Sequence, residues 1–196
     1  MEYSIIAGIN GAGKSSVFYA GDLKIDSGSV RVNFDELIHR EYNHKWQDEI
    51  IQIKAGKEII KLVQDCISKN ISFNQETTLA GRNIYRTILK VKELGYCVSL
   101  HYVGLENADL AVERVRERVK NGGHGIDENI IRDRYVKSFE NLREILPLCD
   151  NINIYDNTKN LYTVLTVKDK KIKYVSKNIP AYFSETIDYI KKIFKS

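Results

Sequence analysis

The chain has 196 residues, 43% of them hydrophobic and 29% charged, which are ordinary proportions for a globular protein with one substantial core and suggest neither disorder nor a membrane span. Thirty Lys and Arg against 26 Asp and Glu leave a net charge of +4, too mild a bias to argue for nucleic acid without a clustered basic patch. No basic leader precedes the first apolar run, which stops at Gly8, so neither a signal peptide nor an anchor is expected and a cytoplasmic location follows by default. Cys66, Cys97 and Cys149 are odd in number and form no C-x-x-C pair, so they are expected as reduced core residues. His39, His44, His101 and His124 show no spacing that would gather a zinc ion.

The apolar run Tyr3–Ala7 predicts a strand. It leads into Gly8-Ile9-Asn10-Gly11-Ala12-Gly13-Lys14-Ser15, a G-x-x-x-x-G-K-S sequence, and residues from Lys14 onward can start a helix. Strand, glycine loop and helix in that order are the context in which such a sequence cradles phosphate, with backbone amides facing the anion. Gly8, Asn10, Gly11, Ala12, Gly13, Lys14, Ser15 and Ser16 are therefore the candidate ATP ligands. Lys14 is placed for the β and γ phosphates and the Ser15 hydroxyl for Mg2+.

Val30–Asn33 predicts a second strand delivering Asp35 to the phosphate end of the sheet, where a carboxylate can accept the proton of an attacking hydroxyl. Asp35 is equally placed to cap a helix over Glu36–Tyr42. A helix over Gly56–Ser68 carries Ile59, Ile60, Val63 and Ile67 on its expected core face. The third strand, Ile71–Gln75, ends in the polar cluster Glu76 to Arg82. There Glu76 can hold a magnesium-bound water or a substrate hydroxyl, and Thr78 and Arg82 are further candidate substrate contacts, while Thr77 or Thr78 can instead cap a helix over Ile84–Leu94. The run closing on Gln75-Glu76 lacks the apolar-then-acidic ending of transporter-type ATPases, and no T-K-x-D guanine sequence occurs.

Cys97–Val103 predicts a fourth strand. In the helix that follows, Val112, Val115 and Val119 mark the buried side and Arg114 and Arg118 share one margin of it. The glycine-rich Asn121 to Gly125, containing His124, separates this helix from another capped by Asp127 and bearing Arg132 and Arg134, with Ile131, Tyr135, Phe139 and Leu142 facing inward. Two arginine-bearing helices joined by glycines predict a lid over about 118–134 that closes on a transferring phosphoryl group. Asn151–Tyr155 is the fifth strand. A hairpin from Tyr162–Val167 and Ile172–Val175 and a helix over Ala181–Phe194 complete the chain.

The expected fold is thus α/β, a P-loop three-layer sandwich with a mostly parallel five-stranded sheet, helices on both faces, and a C-terminal hairpin and helix at about 161–196. One domain spans residues 1–196. The expected activity is ATP-dependent phosphoryl transfer to a small-molecule hydroxyl, against two alternatives: a nucleotide-binding regulator that transfers nothing, and a kinase of nucleic-acid ends.

These residues resemble the zeta-toxin-like P-loop kinases, relatives of chloramphenicol phosphotransferase, over about residues 3–158. The resemblance rests on Gly8 to Ser15, Asn33-Phe34-Asp35, Glu76-Thr77-Thr78, Arg118 with Gly122-Gly123-His124, Arg132-Asp133-Arg134-Tyr135, Ser138, Asn141-Leu142 and Tyr155-Asp156-Asn157. It implies Asp35 as catalytic base, Lys14 and Ser15 on ATP and magnesium, and Arg118 with one of Arg132 or Arg134 on phosphates. It also places Asn157 at the adenine edge. The best-known toxin members phosphorylate UDP-N-acetylglucosamine, and an antitoxin partner is compatible with the resemblance but not readable from the residues. Asp127 stands where related lids often carry proline.

Overall fold

A computed structural model describes residues 1–19, 21, 28–43 and 45–194; His44, considered above, lies outside them. Strand β1 (Glu2–Ala7) is the centre of a parallel sheet. Its residues alternate between two apolar layers, Tyr3, Ile5 and Ala7 facing one and Ile6 the other, as the two-residue period of a strand requires. Chain order continues through α1 (Lys14–Tyr19), β2 (Val30–Val32), α2 (Phe34–Glu41), α3 (Glu49–Ser68), β3 (Phe73–Thr77), α4 (Asn83–Glu93), β4 (Cys97–Gly104), α5 (Ala108–Lys120) and α6 (Glu128–Ile145). After a 3-10 turn come β5 (Asn151–Asp156), β6 (Tyr162–Lys168), β7 (Lys171–Val175) and, past another 3-10 turn, α7 (Ser184–Ile193).

The strand order is β2-β3-β1-β4-β5-β6-β7. The first five are parallel, and β6 and β7 continue the same sheet antiparallel. The expected hairpin therefore does not stand apart from the five-stranded sheet but extends it to seven strands. Its turn falls on Asp169 and Lys170 with φ of 50° and 59°, the left-handed pair that a two-residue hairpin turn needs to match strand twist. Helices α3, α4 and α7 and the C-terminal part of α6 cover one face. Helices α1 and α5 cover the other, with Ile131 from the start of α6. Both faces are thus buried under helices, as parallel strands demand.

Several boundaries differ from the expected ones. Asp48 caps α3, its carboxylate accepting from the amides of Ile50 and Ile51, so the helix begins at Glu49 and not Gly56. Ile59, Val63 and Ile67 keep the i, i+4, i+8 line toward the core, and Ile60, one position round the helix, is 49% exposed. Val119, in the last turn of α5 where the helix gives way to the glycine loop, is also exposed. The third strand starts later than expected because the Ile71 amide bonds back to the Cys66 carbonyl and closes α3. Glu76 and Thr77 consequently lie within β3, paired with Ile6 and Ala7.

Much of the R-Y-x-x-S-x-x-N-L sequence on α6 serves as framework. The Tyr135 hydroxyl donates to the carbonyls of Leu105 and Glu106, Ser138 bonds Tyr102, and the Asn141 amide holds the Leu79 carbonyl. Leu79 has φ of 57°, so that last bond fixes a strained turn leaving β3. Cys66 and Cys149 are buried, Cys97 partly so, and all three are free thiols. No helix among the described residues is long and apolar enough to cross a membrane.

Candidate active site

The loop from Gly8 to Gly13 follows β1 directly and is pressed against its neighbours. Gly8 has φ of 144°, and a Cβ there would stand 2.3 Å from the Val103 carbonyl oxygen, so no other residue fits without moving β4. Gly13 has φ of 86°, and a Cβ there would stand 2.5 Å from Asn157 Nδ2. That Asn157 amide donates to the Ala12 carbonyl at 2.8 Å. Asn157, expected at an adenine edge, thus braces the phosphate loop from beneath.

Lys14 is only 8% exposed, and its Nζ donates to the Ile9 carbonyl at 3.2 Å and lies 3.9 Å from Glu76. Burial lowers its pKa, Glu76 and Asp35 oppose that, and Arg118 and Arg134 add to the lowering. A buried cation held on one carbonyl and one carboxylate is ready to exchange them for phosphate oxygens. Ser16, by contrast, points outward and is exposed.

Glu76 organises the surroundings of Ser15. It accepts from the Ser15 hydroxyl at 2.9 and 3.2 Å and from Asn33 Nδ2 at 2.8 Å, and it forms an ion pair with Arg31. Arg31 also pairs with Glu36 at 3.0 Å and lays its guanidinium over the Phe18 ring, 3.8 Å from the centroid. A carboxylate that accepts the Ser15 hydroxyl hydrogen bond turns the hydroxyl lone pairs outward, free for a cation. Glu76, expected on a magnesium-bound water or a substrate hydroxyl, thus sits on the candidate magnesium ligand Ser15, and Arg31, given no role in the expectations above, holds it there.

Asp35 is in the first turn of α2, but the cap is Asn33, whose Oδ1 accepts from the amides of Asp35 and Glu36 at 2.8 and 3.2 Å. Freed from capping, the Asp35 carboxylate faces the ring of His124 across 3.4 Å. Burial raises the Asp35 pKa, yet His124, Lys14 and Arg118 outweigh it and hold the carboxyl below its ordinary value. His124 stacks on Trp46 with centroids 4.2 Å apart and an interplanar angle of 18°. Arg118 donates from Nε to the His124 carbonyl, and its Nη2, like His124 Nε2, is buried without a hydrogen-bond partner among the described residues.

Arg134 donates to Asn10 Oδ1 at 2.9 Å, which ties α6 to the phosphate loop. Arg132 is directed away and pairs with Asp109 on α5. The two alternate because neighbours two apart on a helix face differ by more than half a turn. Arg82 likewise stands apart, paired with Glu144 and 66% exposed. Neither Thr77 nor Thr78 caps α4. Thr77 Oγ1 instead accepts from the Leu79 amide, while Thr78 borders the cavity.

Asn10, Lys14, Asp35, Glu76, Thr78, His124 and Arg134 all line one cavity of about 560 Å³, together with Phe34, Trp46, Gln47, Gln52 and Gln75. No cluster of metal-binding His, Cys, Asp or Glu occurs among the described residues. The cavity opens at the C-terminal ends of the parallel strands, where ligands bind in open α/β sheets.

The sequence matches the zeta toxin family over residues 2–173. This chain belongs to the zeta toxin family. As a family member it is a nucleotide-binding P-loop kinase, and a Haemophilus influenzae relative, described only as an uncharacterized protein, is 33% identical over 128 residues, 65% of this chain and 88% of the relative. Among solved structures, one from the PezAT chromosomal toxin-antitoxin system of Streptococcus pneumoniae superposes with a TM-score of 0.61 at 18% identity, over 98% of this chain and 84% of that one. The AvrRxo1-ORF1:-ORF2 structure with ATP gives 0.70 at 14% identity, over 95% of this chain and 63% of that one. The Pnkp1/Rnl/Hen1 RNA repair complex gives 0.58 at 17% identity, over 73% and 45%. This zeta toxin family chain thus spans less than two thirds of those last two chains, and at such identities the likeness is one of fold.

Proposed function

We propose that the protein transfers the γ-phosphoryl group of ATP to a hydroxyl of a small molecule, with a sugar nucleotide such as UDP-N-acetylglucosamine as the first acceptor to consider. The observation that carries this is the convergence of Asp35, Lys14, Arg134 and the Ser15–Glu76 pair around one cavity. A nucleotide-binding regulator needs a phosphate loop but no carboxylate set opposite it.

Lys14 and the loop amides bind the β and γ phosphates, and Arg118 and Arg134 neutralise charge that develops on the transferring group. The acceptor oxygen bonds to the γ-phosphorus as the bond to the ADP oxygen breaks, and Asp35 takes the hydroxyl proton and later returns it to water. The Ser15 hydroxyl and the Glu76 carboxylate are hard oxygen donors that suit Mg2+, which would supply charge neutralisation on the phosphates. The cavity, about 560 Å³, has the size of a small-molecule site. Its Trp46 ring and the amides of Gln47, Gln52 and Gln75 offer stacking and hydrogen bonds suited to a base or a sugar.

A second reading, kinase of a nucleic-acid end, has the Pnkp1 complex as a relative in fold. It finds less support, because the cavity lining carries Asp35, Glu76 and Asp127 beside its cations and forms no basic stripe. A neutralising protein partner belongs to the proposal through the PezAT system. The test is incubation with labelled ATP and Mg2+ over a panel of hydroxyl-bearing metabolites and RNA 5′ ends. Label is expected in a small molecule and is expected to vanish in a folded Lys14→Ala variant. Label confined to RNA, or transfer unaffected by Lys14→Ala, would overturn the reading.

A further inference from the structure

Three features meet at His124 that the phosphate chemistry does not by itself require. Its ring lies between two other elements, stacked on Trp46 from the segment before α3 and facing Asp35 Oδ2 of α2 at 3.4 Å. Its main chain is fixed by the Arg118 guanidinium, which donates to the His124 carbonyl at 3.1 Å. The turn that presents it is tight: the Gly123 amide bonds the Arg118 carbonyl at 2.9 Å, and a Cβ at Gly123 would stand 2.6 Å from Arg118 Cγ. Gly123 is therefore required by the approach of Arg118 to its own loop, and His124 is the residue that this approach delivers.

We propose that His124 is a positioning residue through which lid closure sets Asp35 for proton acceptance, and that Trp46 is the platform that fixes the orientation of its ring. This rests on the phosphoryl-transfer reading above. The His124 Nε2 is buried yet has no hydrogen-bond partner among the described residues, because the 3.4 Å approach to Asp35 falls short of a well-formed bond. Catalytic hydrogen bonds are often long before ligands bind and tighten in the productive complex. A small closing movement of the lid shortens this one. The ring then holds one carboxylate oxygen and leaves the other for the acceptor hydroxyl, since an ionised carboxylate accepts at both. No net proton passes to His124. It donates to Asp35, while the proton of the acceptor goes to Asp35 itself.

The arrangement makes base and lid one unit. With the lid open, Asp35 loses its partner and the Arg118 guanidinium moves away with the same loop, so transfer to water is disfavoured until the acceptor has closed the site. Trp46 also gives a direct readout. It is the single tryptophan of the chain, and indole emission is sensitive to a ring stacked on it, so fluorescence reports the contact without any turnover.

His124→Phe keeps a ring to stack on Trp46 and removes the N–H, whereas His124→Gln keeps an N–H donor and removes the stack. Both are compared with wild type by circular dichroism, by Trp46 emission with and without a non-hydrolysable ATP analogue, and by steady-state transfer and ATP hydrolysis. Emission is expected to change in both variants, most in His124→Gln, which loses the stacked ring. The turnover number is expected to fall by about 10-fold to 10²-fold in His124→Phe, the scale of a misplaced catalytic group, with the KM for ATP unchanged and His124→Gln recovering part of the loss. Wild-type turnover in both variants, unchanged Trp46 emission, or a loss carried wholly by KM would overturn the proposal. A wild type that neither transfers nor hydrolyses would instead refute the kinase reading, and the emission arm would still decide whether His124 is clamped on Trp46.

Discussion

Asp35→Asn separates chemistry from architecture, because the structure assigns the helix cap to Asn33 and leaves the Asp35 side chain without that duty. The change keeps size and most hydrogen bonding and removes one negative charge and the proton acceptor. Losing a positioned base costs about 10²-fold or more in turnover, equivalent to about 2.7 kcal/mol of barrier. The effect on folding is far smaller. Asp35 is 46% exposed, so the stabilisation implied by its depressed pKa is screened, and less than about 1 kcal/mol is expected in denaturant unfolding. ATP affinity should be unchanged or tightened, since a carboxylate facing Lys14 and Arg118 opposes an incoming phosphate. The pH dependence adds a check. With His124, Lys14 and Arg118 holding the carboxyl below its usual range, Asp35 stays ionised above about pH 5, and the ratio of wild-type to variant rates should be flat from there upward. The assay is transfer at matched ATP saturation over that range. Equal rates, or a loss that tracks a fall in stability, would refute the assignment.

Glu76→Gln should raise the magnesium needed for half-maximal ATP-analogue binding by about 10-fold to 100-fold, as loss of a group orienting a metal ligand does. It should also cost about 2 kcal/mol of stability, below the usual range for a broken buried pair because Arg31 keeps Glu36; an unchanged magnesium titration would separate Glu76 from the Ser15 site. His101 is 2% exposed and burial lowers its pKa to about 4. The unfolded chain therefore takes up a proton near pH 6.5 that the folded one refuses, and stability falls as pH drops from 6.5 toward 4, by about 3 kcal/mol in all. Denaturant melts of wild type and His101→Gln across that window should differ in slope, and parallel curves would show that His101 is not the source.

The fold could be read from the sequence wherever one pattern had one meaning. Tyr3–Ala7, the glycine loop and the Asp127 cap follow from local chemistry that tertiary structure had no reason to override. Boundaries failed where a distant bond decides them. Asp48 draws α3 back to Glu49, and the Ile71 amide, bonded to Cys66, delays the third strand. The hairpin was recognised as a hairpin, but its place on the sheet depends on the pairing of Ile152 to Asp156 with β6, a contact between strands that no local pattern encodes.

The candidate site was legible in its residue types and not in its pairings. Of two arginines in one R-D-R triplet, only Arg134 reaches Asn10, and the helical rotation that separates them is fixed by which side of α6 packs inward. Glu76 was visible as a strand-end carboxylate suited to a magnesium-bound water or a substrate hydroxyl, and an expected strand end at Gln75, two residues before Thr77, left its partner open. With Glu76 inside β3 and opposite Ile6, its side chain comes beside the first residues of α1, and the Ser15 hydroxyl is the donor it meets. A carboxylate from the neighbouring strand thus stands beside the Ser15 hydroxyl although the sequence lacks an apolar-then-acidic strand ending. Trp46 carried a weaker signal, a lone tryptophan in a polar stretch. Its stacking on a residue 78 positions later is a consequence of the loop between α5 and α6 folding back against α2, which is why the two residues could be connected only once the chain was folded.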